Sequence, residues 1–82
     1  MKNQFAKLFE LENHQVLVTK DFDVNKAGKE EFILAMTTSL DSLQPTMKAS
    51  YSTEEKRDQQ FEKYSKNNAQ KFLEQMKYSL EN

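Results

Sequence analysis

The 82-residue chain has no cysteine, no tryptophan, one glycine, one proline and one histidine. Without cysteine there is no thiol nucleophile, no thiolate zinc site and no disulfide framework. A single glycine, Gly28, excludes P-loops and dinucleotide fingerprints, whose phosphate-cradling turns need several. The lone His14 cannot build a metal centre, and no motif around it supplies a catalytic partner. Lying between polar neighbours, it reads as an exposed turn residue. The longest unbroken apolar run, Phe32 to Met36, is five residues, far short of the ~20 that span a bilayer. Met1 to Asn13 has no apolar stretch of the kind a secretory signal carries. These absences lead us to expect a cytoplasmic protein with no membrane partner.

Charge of one sign is also missing. Twelve Lys and Arg face thirteen Asp and Glu, a formal net charge of −1, and both signs are spread along the chain, so no polybasic tail or acidic block announces a partner. Leu, Ile, Val and Phe together number 18, a small apolar stock close to the range where chains stop folding. Low net charge and nine Phe and Tyr residues nevertheless separate the chain from disordered sequences. It reads as one small folded domain with a small core, in need of a partner or content with modest stability.

Periodicity supplies the fold. From His14 onward Val16, Val18, Phe22 and Val24 alternate with Leu17, Thr19, Asp21 and Asp23, the period of a strand with one buried face. Lys20 falls on the apolar side, which points to a bulge at Thr19 to Asp21 or an exposed strand end. Asn25 to Lys29 carries hairpin-loop chemistry, because Asn and Gly accept positive φ. In Glu31 to Leu40 the residues Phe32, Leu34, Met36, Thr38 and Leu40 form the apolar side of a second strand. A connection through Pro45 leads to a third strand, Thr46 to Tyr51, with Met47, Ala49 and Tyr51 inward. The first dozen residues fit either helix or strand.

After Tyr51 the period changes. Ser52 is placed to cap a helix, with Glu55 three residues on as in a capping box. Phe61, Tyr64, Asn68, Phe72 and Met76 then share one helical face, flanked by Ala69, Leu73 and Leu80. An unbroken helix from Thr53 to Leu80 would run about 42 Å, beyond a body whose expected radius of gyration is about 12 Å. A break at Ser65 to Asn68 is therefore expected, with Ser65 capping a second segment. The predicted fold is α+β: a three- to four-stranded antiparallel meander, about residues 14–51, followed by one long or two short helices, about 53–80, packed on one sheet face.

Candidate chemistry is sparse. Asp21, Asp23 and Asn25 match the first oxygen donors of a calcium loop, yet Lys26 stands where the turn glycine belongs and Phe32 where the bidentate acid belongs. Paired acids such as Glu54 and Glu55 sit in solvated Lys-rich surroundings and suit a helix N-terminus better than acid catalysis. No catalytic, metal or cofactor-binding residue is assigned, and no small-molecule ligand is expected.

Two surfaces remain. On the outer sheet face Leu17, Ile33 and Ala35 form an apolar patch unless Phe5, Leu8 and Phe9 cover it, and Tyr78 and Leu80 lie at the far end of the helical region. On the helix, Lys56, Lys63, Lys66 and Lys77, with Gln59, Asn67, Gln70 and Glu74, form a cationic stripe able to follow a phosphate backbone. The leading expectation is a non-enzymatic protein-interaction or regulatory module that self-associates as a homodimer, with a nucleic-acid-associated protein as the alternative.

Overall fold

The structure, a computed structural model, describes residues 5–40 and 43–81, with the backbone alone for Leu80 and Glu81. It is α+β: an antiparallel meander of β1 (Ala6–Leu11), β2 (His14–Val24), β3 (Glu30–Thr38) and β4 (Thr46–Tyr51), followed by α1 (Glu54–Lys63) and α2 (Lys66–Glu81). The strands lie in chain order across the sheet, and both helices pack on the same face.

The N-terminal segment is a strand, so the sheet starts at Ala6 rather than near residue 14. Leu11 pairs with His14, closing a turn of two residues, Glu12 and Asn13. Asn13 adopts a φ of 66°, a left-handed conformation that Asn tolerates because its short amide can bond locally. In the next turn the Asn25 side chain accepts from the N–H groups of Ala27 and Lys29 at 2.9 and 3.0 Å, and Gly28 takes a φ of 78°. Of the third connection, Asp41 and Ser42 lie outside the described residues; around them Leu40 and Leu43 exchange two backbone hydrogen bonds of 2.9 Å.

Strand alternation sorts the side chains into two faces. The covered face contributes Val16, Val18, Leu34 and Met36, which pack with Leu40, Phe61, Ala69, Phe72 and Leu73 into one core, with Phe9, Leu11, Met47, Tyr51, Tyr64 and Met76 against it. Thr38, also buried on this face, donates its hydroxyl to the Gln15 carbonyl at 2.7 Å, so its polar atom is satisfied.

Both helices are capped by side chains. At α1 the N-cap is Thr53, whose Oγ1 accepts from the Lys56 N–H at 3.2 Å, one residue later than the expected Ser52. The helix ends at Lys63, and α2 opens with Ser65 and Asn68 in reciprocal contact: the Asn68 side-chain oxygen accepts from the Ser65 N–H at 3.0 Å and from its hydroxyl at 2.9 Å. Asn68 is thus an exposed cap residue and does not belong to the apolar face. The break lets α2 turn back toward β1, which keeps the molecule to 37 × 34 × 17 Å.

Candidate functional site

Lys20 lies within an unbroken β2, without a bulge. It pairs with Leu34 in continuous register, its side chain reaches into the covered face, and its ammonium stands 4.8 Å from the centre of the Phe61 ring. Also near that ring, 4.6 Å from its centre, is the ammonium of Lys7, which donates to the Phe61 carbonyl at 2.6 Å and the Glu62 carbonyl at 3.4 Å. Those carbonyls belong to the last turn of α1, where a cation complements the helix dipole. Two lysines therefore contact a fully buried phenylalanine.

Asp58 is shared between two neighbouring cations. One of its oxygens lies 3.3 Å from the Lys20 ammonium and accepts from Arg57 Nε and Nη2 at 3.1 and 3.0 Å. Partial desolvation acts to raise the Asp58 pKa, but the hydrogen bonds and charges of Arg57 and Lys20 outweigh it, so the carboxyl titrates below its ordinary value. Arg57, buried, donates Nη1 to the Asp21 carbonyl at 2.8 Å and lies 5.5 Å from the Phe32 ring centre. Elsewhere against the core Tyr64 meets Phe9 at 5.7 Å between ring centres, and burial pushes its phenol pKa up.

This clamp borders an open groove of about 590 Å³ lined by Phe5, Lys20, Phe22, Glu30, Phe32, Glu54 and Arg57, with Asp21 at its base. The groove exists because β2 and β3 outrun their neighbours. β1 pairs only with His14 to Thr19, its last reach being the Phe5 carbonyl that accepts from the Lys20 N–H at 2.9 Å. β4 begins its pairing at Phe32. Phe22 to Val24 and Glu30 to Glu31 therefore project as a two-stranded ribbon. Strand alternation puts Phe22 and Val24 on the helix-bearing face, where α1 reaches β2 through the Arg57 contact with the Asp21 carbonyl, yet they keep 46 % and 51 % of their surface exposed, as Phe5 keeps 66 %. The Phe22 and Phe32 rings stack tilted at 5.4 Å. The strand pattern identifies these side chains as one face but treats them as core; only the lengths of the neighbouring elements show that they form a shelf.

The sequence-derived surfaces are arranged differently from this shelf. On the open face Leu17 opposes Leu8, and both are exposed. Ile33 and Ala35 keep only 7 % and 8 % of their surface, because Asp21 and Ser50 flank the first and Thr19 and Lys48 the second. Phe5, Leu8 and Phe9 do not fold over this face: β1 joins the sheet, placing Leu8 beside Leu17 and Phe9 against the core. Tyr78 is exposed near the end of α2, and the Leu80 side chain lies outside the described residues. Lys56, Lys63, Lys66 and Lys77 are all exposed, but the break divides them into a pair on each helix. On α1 they alternate with Glu54, Glu55, Asp58 and Glu62.

His14 is the first residue of β2, half-buried, its Nδ1 3.3 Å from the Ser39 carbonyl. Asp21 and Asp23 each accept from the next backbone N–H at 2.8 Å, while Asn25 holds its turn. Among the described residues no group of three or more His, Cys, Asp and Glu gathers to hold a metal ion, and no described helix is long and apolar enough to cross a membrane.

Compared with protein families, curated proteins and solved structures, the chain matches none. Its function is therefore read from these surfaces alone.

Proposed function

We propose that the chain is a non-enzymatic protein-interaction module whose docking surface is the shelf of Phe5, Phe22, Val24 and Phe32. The observation that carries this reading is the exposure of three large apolar side chains by one groove, Phe22 and Val24 on a two-stranded ribbon and Phe5 beside it. A ribbon of two strands is marginal in water unless its apolar side is covered, and clustered exposed apolar groups mark interaction surfaces more often than scattered ones do. Selection from a random-peptide display library against the full chain tests it. Peptides should be enriched whose binding is lost in the variant Phe22→Ser with Val24→Ser. No enrichment, or peptides indifferent to that variant, overturns the reading.

Self-association through the open sheet face is the second reading, supported by the exposed pair Leu8 and Leu17. A solution mass that rises with concentration in the parent and stays monomeric in Leu17→Ser supports it; a parent monomeric at high micromolar concentration removes it. The nucleic-acid alternative has less behind it, because the helix break divides the lysines and acids interrupt those on α1. Failure to bind DNA or RNA at low salt removes it.

A further inference from the structure

We infer that the occupant of the groove between the β2–β3 ribbon and the N-terminus of α1 is a cationic segment of a partner protein, with an apolar side chain flanked by Lys or Arg. This inference rests on the shelf being a docking surface and adds the chemistry of what docks. Its floor is apolar: Phe22 and Phe32 stack at 5.4 Å, with Phe5 exposed beside them, and the space of about 590 Å³ falls within the ~300–1,000 Å³ range of ligand sites.

The charges around that floor are not equally accessible. Lys20 and Arg57 line the groove, but their side chains are only 13 % and 9 % exposed and both are committed to Asp58, at 3.3 and 3.0 Å. Arg57 has in addition the Asp21 carbonyl. The two other charged lining residues whose side chains face the groove, Glu30 and Glu54, are exposed. Glu54, 69 % exposed, pairs loosely with Arg57 at 3.6 Å. Lys26 and Lys29 belong to the hairpin loop and do not line the groove. An incoming anion would thus meet exposed carboxylates and two little-exposed cations balanced by Asp58 and Glu54. An incoming cation instead meets Glu30, with no cation paired to it among the described residues, and the outer side of Glu54, around an aromatic floor. Complementarity of this kind steers encounter and selects partners more than it adds affinity. Exposed aromatic faces also attract Lys and Arg side chains directly.

Two fluorescent peptides with the same Leu-Phe centre test the inference, one flanked by Lys and Arg and the other by Asp and Glu, titrated into the full chain at low and near-physiological salt. The basic peptide should bind about tenfold more tightly, with the gap narrowing as salt is added. Amide shifts should map to Phe22, Glu30, Phe32 and Glu54, and Glu30→Gln with Glu54→Gln should remove the preference while Phe22→Ser weakens both peptides. Equal binding, preference for the acidic peptide, or a preference untouched by the Gln pair overturns the cationic occupant and, where binding stays sensitive to Phe22→Ser, leaves the docking shelf standing. Absence of binding with self-association abolished by Phe22→Ser makes a second copy the occupant and overturns the inference. Absence of both overturns the inference and the shelf together.

Discussion

At the residue scale the unusual feature is a sheet face that admits Lys7 and Lys20 and reaches Arg57, with one main carboxylate between them. Asp58 stays charged because Arg57 and Lys20 hold its pKa below the ordinary value despite some desolvation. A carboxyl with a folded pKa below its unfolded one adds stability that is present above the unfolded value of about 3.9 and is lost as pH falls through the folded value. Urea unfolding at neutral pH and at about pH 3 should therefore show a loss in the parent that is smaller in Asp58→Asn. At neutral pH the same substitution should cost about 1–2 kcal/mol, since the carboxylate is partly exposed and its hydrogen bonds are to charged donors. Phe61→Ala should be far worse. It removes a fully buried ring that two ammonium groups contact, for about 3–5 kcal/mol, a large fraction of the stability a chain of this size commands. Loss of a cooperative thermal transition is the expected outcome.

At the scale of elements, short-range chemistry decides where helices start and stop. Thr53→Ala should lower stability by about 1 kcal/mol, whereas Ser52→Ala should change little, because only Thr53 bonds the first turn of α1. Ser65→Ala should cost about as much as Thr53→Ala by releasing the first turn of α2; thermal melts of the three variants check the order. Strand lengths matter as much. β2, with 11 residues, extends about 36 Å, whereas α1, with 10 residues, covers about 15 Å. A strand more than twice as long as the helix on it must leave one end bare, and that end carries Phe22 and Val24.

For the whole molecule, the consequence is a thin two-layer body with a radius of gyration of 13.6 Å, above the roughly 12 Å of a compact chain this long. Among the described residues no element covers the second sheet face, as antiparallel sheets permit, and an apolar shelf stands at one end. Phe22 is only about half exposed and contacts Phe32, so Phe22→Ser with Val24→Ser should cost no more than about 1–2 kcal/mol and keep a cooperative transition. The same variant should lose peptide binding, and a cooperative transition retained beside lost binding is what separates a docking surface from a misplaced piece of core. A marked fall in stability would instead show that the shelf is part of the core.

Period-two and helical patterns were legible in the residues themselves, because alternation and capping act over a few positions: Thr46 to Tyr51 as a strand, the turn at Asn25 to Lys29, and the break beside Ser65 are all local chemistry. The sequence by itself thus determined the α+β class, the order of elements from His14 onward and the apolar face of each. Tertiary structure alone decided the rest. It placed Ala6–Leu11 of the ambiguous N-terminal segment in a strand, because β2 offered an edge to pair with. It turned Lys20 from a flaw in a pattern into a partner of Phe61 and Asp58, residues about forty positions away. It left Phe22 and Val24 in solvent and drew Ile33 and Ala35 out of it, because burial depends on which element lies over or beside a side chain, and no spacing along one strand encodes the reach of another.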